Sequence, residues 1–255
     1  ASLLDDSPAQ IATASGLYLP QNYDREFRGW VSARTALGAS LNVPAVRVGA
    51  MLGPDALFAR LNAFGLALSE SGGYHGQALA LGSADVTLLT LTNAYRTLAN
   101  GGLASAPLLR GAPAAPVSPR RVADASAVHL VADILADNGA RARTFGLASA
   151  LATRGFAAVK TGTSKDLRDN WCVGFTDRYT VGVWVGNASG EPMHEVSGVS
   201  GAAPVWHTLV ARLHEGRPSR SPMRPAGVVV SHVAFESHRE APRDEVFIAG
   251  TEQAR

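Results

Sequence analysis

The run Lys160-Thr161-Gly162-Thr163-Ser164 closes an apolar stretch, Phe156 to Val159, that reads as a β-strand. A Lys followed by hydroxyls and a Gly at a strand end suits an anionic substrate. The ammonium supplies charge and the Thr161 and Thr163 hydroxyls donate hydrogen bonds. Gly162 lets a substrate backbone approach closely. A backbone N–H just beyond it can point at a developing oxyanion. The plain alternative is a strand that ends in a polar turn.

A second group, Ser40-Leu41-Asn42, places a hydroxyl and an amide two residues apart between two helical patterns. The hydroxyl can relay a proton and the amide can hold a substrate amide. The competing explanation is local: Ser and Asn are favoured N-caps, and Pro44 suits the first turn of the helix that follows.

The elements that must position these groups fall into two blocks. Residues 1 to 30 read as a loop-rich, extended approach. Short helices are predicted over 31 to 39, from Pro44 to Met51 and over Asp55 to Phe64, with Gly53 and Gly65 as stops. Ser71 to Gly76 reads as a flexible loop. The next helix, capped by Ser83 or Asp85, carries Val86, Leu88, Leu89, Leu91, Ala94, Tyr95 and Leu98 around much of its circumference, which predicts deep burial. It ends at Asn100-Gly101-Gly102. A Pro-rich loop covers Ala106 to Pro119, and another helix Ser126 to Asp137. Strands follow over Phe156 to Gly162, Trp171 to Phe175 and Tyr179 to Val185, the last two joined by a tight turn at Asp177-Arg178. A helix over Ala203 to Leu213 closes the pattern, and His232 to Ile248 has room for one or two more strands. Helices first and an antiparallel sheet afterwards make an α+β fold. The composition shifts to Pro, Arg and Ser beyond Gly216, so residues 1–216 read as one domain. Residues 217–255 read as a linker with the start of an extension.

Composition excludes several classes of function. Of the 255 residues, 46% are hydrophobic and 17% charged, which supports a sizeable core. A net charge of +2 with scattered basic residues gives no footprint for nucleic acid. The single Cys172 sits in an apolar run and reads as buried filler. The seven His residues have no metal-ligand spacing, and no Gly-rich phosphate loop is present. No cofactor or metal is expected. Asp5-Asp6 and Glu191 to Glu195 read as solvated loops. Gly198-Val199-Ser200-Gly201-Ala202 lacks the last Gly of a nucleophile elbow and reads as a turn. Only Lys160 and Lys165 are Lys among 23 basic residues. A Lys kept against that Arg bias suggests a need for a compact ammonium.

Taken together, the motifs resemble the penicillin-binding protein and serine β-lactamase set, in which Ser-x-x-Lys, Ser-Asp-Asn and Lys-Thr-Gly recur in order. Here the second reads Ser-Leu-Asn and the third is intact. The run Thr35 to Val46, Leu79 to Ser83 leading into Asn93 to Gly102, Arg168 to Phe175 and Ala202 to Trp206 all resemble class A penicillin-binding proteins, the 1C subgroup most closely. Glu245 to Glu252 resembles the lead-in to that subgroup's C-terminal domain. The resemblance implies a serine-type D-Ala-D-Ala transpeptidase domain in a parent that is also a glycosyltransferase, anchored at the periplasmic face of the inner membrane. Its partners would be peptidoglycan stem peptides, lipid-linked precursor and β-lactams. Ser40 would shuttle a proton and Asn42 would hold the donor amide. Lys160, Thr161, Gly162, Thr163 and Ser164 would take the terminal carboxylate, with the Thr163 N–H forming half of an oxyanion hole.

The chain departs from the family at one point. A Ser three residues before either Lys is absent: those positions are Ala157 and Gly162. Without a nucleophile the acyl-enzyme route has no first step. The chain therefore reads as a partial transpeptidase domain, inactive alone, lacking the first strands of its sheet. Such a piece is expected to be poorly soluble, with a low, broad unfolding transition. Two other functions stay open: a β-lactamase or carboxypeptidase relative, and a non-catalytic module that binds stem peptide or a partner.

Overall fold

A computed structural model of the chain describes residues 2–13, 16–108, 118–236 and 239–252. Strand β1 (Leu3–Asp6) pairs antiparallel with β4 (Gly29–Ser32), enclosing a small hairpin of β2 (Ile11–Thr13) and β3 (Gly16–Tyr18). The expected extended approach is thus organised into short strands. Asp6 is not in a solvated loop: it is fully buried, and its carboxylate accepts from Asn22 Nδ2 at 2.8 and 3.0 Å and from the Arg28 N–H at 3.0 Å. A buried carboxylate is stable there because it is fully hydrogen-bonded.

Helices α1 (Ala33–Gly38), α2 (Asn42–Leu52) and α3 (Pro54–Ala63) follow as the sequence predicts, with Gly53 between the last two. Residues 71–76 are not a loop. Ser71 caps a one-turn helix, α4 (Gly72–His75), that runs into a 3-10 stretch over Gly76–Leu81. The long helix α5 (Leu88–Ala99) is capped by Thr87, whose hydroxyl accepts from the Thr90 N–H, so neither Ser83 nor Asp85 caps it. Its burial is also shallower than predicted. Only Ala94 and Thr97 are buried, while Leu88 and Leu89 are 39% and 55% exposed. One apolar stripe meets the sheet, and the remaining leucines sit on its flank. After a short ladder of β5 (Leu103–Ala104) with β6 (Arg120–Arg121) come α6 (Ala125–Ala136) and α7 (Asn138–Phe145). Helix α7 was not legible, since Gly, Ala and Arg dominate it. Most of the Pro-rich stretch between β5 and β6 lies outside the described residues.

The three-stranded antiparallel sheet β7 (Ala158–Thr163), β8 (Asp169–Phe175), β9 (Thr180–Gly186) has β7 at one edge and the Asp177-Arg178 turn between β8 and β9. Helix α8 (Ala203–Leu213) covers one face, where Trp206 packs with Val159, Cys172, Val183 and Val210 and donates from Nε1 to Val181 O at 3.1 Å. Helices α5 and α6 cover the other, where Ala132 and Leu135 meet Ala158 and Phe175. Cys172 is buried in the sheet, as its apolar surroundings predict. The segment after α8 returns along the molecule. Ser219 Oγ donates to Phe156 O at 2.6 Å, and a last hairpin of β10 (Val228–Val233) and β11 (Arg243–Ile248) packs beside α6. No helix among the described residues is long and apolar enough to cross a membrane.

Candidate active site

Ser40 sits in the corner between α1 and α2 with a backbone φ of 59°. The Leu41 N–H bonds to Ala36 O at 2.9 Å and the Ser40 N–H to Leu37 O at 3.2 Å. That is the paired bonding of a Schellman helix stop, with Ser where Gly or Asn is the rule. A left-handed serine is strained, and such residues persist where their surroundings over-determine them. The local capping explanation fails here. Leu41 precedes α2 and makes no side-chain cap, so the Ser40 hydroxyl is free of that duty.

That hydroxyl is met instead by Lys160, 120 residues away. Lys160 Nζ donates to Ser40 Oγ at 2.6 Å and to Thr161 O at 2.8 Å. Side chains alternate along β7, which puts Lys160 and Gly162 toward the helical block and Thr161 and Thr163 toward α8. Burial lowers the Lys160 ammonium to a pKa of about 8; Cys172 opposes this shift and Arg141 adds to it. Burial likewise pushes the Cys172 thiol up to about 12, which keeps it an unreactive thiol at neutral pH.

The end of β7 is prepared on the other face. Thr163 Oγ1 accepts from the Gly198 N–H at 3.0 Å, which leaves its own O–H available to donate. Gly198 must be glycine for this contact: a Cβ would lie 2.5 Å from Gly162 O and 2.8 Å from Trp171 O. Residues 198–202 form a π-helical turn over the strand end, not a plain turn. The Ser164 N–H bonds to Asp169 O at 2.9 Å. By antiparallel alternation the Thr163–Asn170 pair is then a non-hydrogen-bonded one, and the Thr163 N–H faces the open edge of β7.

Two candidate residues are spent differently from Ser40 and Lys160. Ser164 Oγ bonds to Asp169 Oδ2 at 2.8 Å and accepts from the Asp169 N–H at 2.9 Å, so its hydroxyl fastens the turn into β8. Asn42 Nδ2 donates to Gln21 O at 2.9 Å. The residue behind it is Asn22, which no sequence pattern singles out. Its Oδ1 accepts from the N–H groups of Asn42 at 2.8 Å and Val43 at 3.3 Å, while its Nδ2 holds Asp6. Asn22 is therefore a remote N-cap for α2, twenty residues away, and no local motif announces it. No group of His, Cys, Asp or Glu among the described residues could hold a metal.

The arrangement of helices on both faces of this antiparallel sheet defines a class. The family model described as the penicillin binding protein transpeptidase domain matches residues 2–205, and the chain belongs to that family. Among its relatives it is 35% identical over 210 residues to penicillin-binding protein 1C of Escherichia coli K12, covering 82% of this chain and 26% of that protein. It is 33% identical over 217 residues to penicillin-binding protein 1B of Vibrio cholerae, covering 81% and 27%. The chain thus spans about a quarter of these relatives. Among solved structures, penicillin-binding protein 1A of Haemophilus influenzae superposes with a TM-score of 0.85 at 23% identity, over all of this chain and 45% of that one. PonA1 of Mycobacterium tuberculosis in complex with penicillin V gives 0.69 at 23% identity, over 88% and 65%. The expected fold is borne out.

Proposed function

We propose that this chain carries the carboxylate-binding side of a D-Ala-D-Ala transpeptidase site, used in its parent to cross-link peptidoglycan stem peptides and to bind β-lactams as mimics. One observation carries the reading: Lys160 Nζ lies 2.6 Å from Ser40 Oγ, so two motifs far apart in the chain form one hydrogen-bonded unit. In that unit Lys160 donates to Ser40, and the Ser40 proton is left to pass to a third group, as a relay to a leaving amine requires. The Thr161 and Thr163 hydroxyls would bond the terminal carboxylate, with Lys160 supplying charge from the other face of the strand and an incoming anion holding it protonated. The Thr163 N–H would supply one oxyanion donor. Asn42 would hold the donor amide through its Oδ1, since its Nδ2 is taken by Gln21 O.

Acyl transfer needs a nucleophile, and no Ser precedes either Lys by three residues. This chain by itself should therefore bind without reacting. That same absence favours a second reading, a module that recognises stem peptide without chemistry. The parent's glycosyltransferase activity, its lipid-linked substrate and its place at the periplasmic face of the inner membrane follow from the family reading alone.

The test uses the full 255-residue chain with fluorescent penicillin and with a pentapeptide ending in D-Ala-D-Ala. The reading expects reversible peptide binding that Lys160→Met weakens at least tenfold, and no covalent label. Peptide binding that ignores Lys160 refutes the site; a covalent label refutes the missing nucleophile.

A further inference from the structure

Helix α1 has six residues and ends on the strained Ser40 corner. So short a helix has no intrinsic stability, and its pose depends on tertiary ties. Its C-terminal end is held by α7, where Thr144 Oγ1 donates to Ala39 O at 2.8 Å. Its N-terminal end is held by the last hairpin of the chain. Glu240 accepts from the Ser32 N–H at 2.7 Å and from Ser32 Oγ at 2.9 Å, while Ser32 Oγ caps the Thr35 N–H at 3.1 Å. Arg243 joins the same cluster, donating to Ser32 Oγ at 2.9 Å, Glu240 at 2.7 Å and Glu245 at 3.0 Å.

Two residues further on, buried Arg34 makes ion pairs with Glu245 at 2.5 Å, with Asp133 of α6 at 2.5 Å and with Asp137, between α6 and α7, at 3.1 Å. Glu240 and Glu245 are themselves buried. Burial alone would raise both carboxyls. For Glu240, bonds from the Ser32 N–H and Arg243 instead hold it below the ordinary range; for Glu245, the bond and charge of Arg34 do so. Desolvated, bidentate carboxylate–guanidinium contacts fix orientation in a way exposed pairs do not.

We infer that the β10–β11 hairpin is a positioning element of the proposed site: Glu240 and Glu245 hold α1 so that Ser40 keeps its place against Lys160. The inference rests on the roles assigned to Ser40 and Lys160 above. The composition change near residue 216 is then not a functional boundary, since residues beyond it fasten the helix that presents Ser40.

The experiment compares the full chain with Glu240→Gln and Glu245→Gln, shape-conserving variants that remove one charge each. Amide exchange is followed at Ser40 and Leu41, the two bonds of the α1 stop, against Cys172 in central strand β8. In parallel, ε-¹³C-lysine labelling gives two signals, from Lys160 and Lys165. The expected result is exchange at Ser40 and Leu41 at least tenfold faster relative to Cys172, with the Lys160 signal displaced and the Lys165 signal unmoved. Unchanged exchange at Ser40 and Leu41 overturns the inference. So does acceleration by one common factor at all three amides, which is loss of general stability only. Should Glu245→Gln fail to fold, Arg243→Gln at a partly exposed position loosens both carboxylates and is read the same way. A wild-type chain that binds no stem peptide would refute the site reading, while the exchange comparison still judges the positioning.

Discussion

Replacing Lys160 with Met should stabilise the chain at neutral pH while removing its ligand contact. In the fold the Lys160 pKa falls from 10.5 to about 8 because burial disfavours the ammonium. Each unit is worth about 1.4 kcal/mol, so holding the charged form costs about 3 kcal/mol at pH 7. Between pH 8 and 10.5 the unfolded chain binds the proton that the folded chain has released. Stability from this residue therefore rises with pH across that window, and its cost is complete below pH 8. Cys172 runs the opposite way: its raised pKa makes its share of stability fade from pH 9 toward 12. Comparing wild type with Lys160→Met at each pH largely cancels that second effect. Met keeps the length of the side chain and loses the bonds to Ser40 and Thr161 O, worth about 0.5–1.5 kcal/mol each in net terms. Urea unfolding at pH 7 should thus favour the variant by up to about 2 kcal/mol, and the gap should close or reverse by pH 10.5. A gap that is flat with pH, or one that favours the variant more at pH 10 than at pH 7, would refute the reasoning.

Ser40→Gly and Ser40→Ala both lose the Lys160 bond, but only Gly relieves the left-handed strain, so Ser40→Gly should be about 0.5–1 kcal/mol more stable than Ser40→Ala in thermal melts; both should weaken stem-peptide binding. Gly162→Ala should leave urea stability within about 0.5 kcal/mol, since its Cβ meets nothing nearer than Trp171 Cβ at 3.6 Å, so any loss of peptide affinity reports ligand approach at the strand edge. Thr163→Val should weaken peptide binding and also cost about 1–3 kcal/mol in urea unfolding, because the Gly198 N–H loses its acceptor. Trp206→Ala should cost about 3–5 kcal/mol, read as a lowered unfolding midpoint, by opening the core under α8.

Much of the candidate site is legible along the chain because it rests on residue type and short-range order. The cationic strand end at Lys160, the hydroxyl–amide pair at Ser40 and Asn42, the β8–β9 hairpin and helix α8 are each written in a few consecutive residues. Capping was the weak point. Thr87 caps α5 where Ser83 and Asp85 are equally plausible by type, because a cap depends on where the backbone turns helical as well as on the residue types near it. Ser164 belongs to the same run as Lys160, yet its hydroxyl closes the turn with Asp169, a choice made by the geometry of β8.

The sequence alone determined which groups could meet an anion, the α+β order of elements and the absence of a Ser-x-x-Lys. Those are local, combinatorial properties of the polymer. Only the tertiary structure decided that Ser40 serves Lys160 instead of a helix end, that Asn22 caps α2 on a base of buried Asp6, and that Glu240 and Glu245 anchor α1 from more than 200 residues away. Contacts at that separation are set by how helices and sheet pack, and a buried polar group takes whichever partner the packing brings within reach.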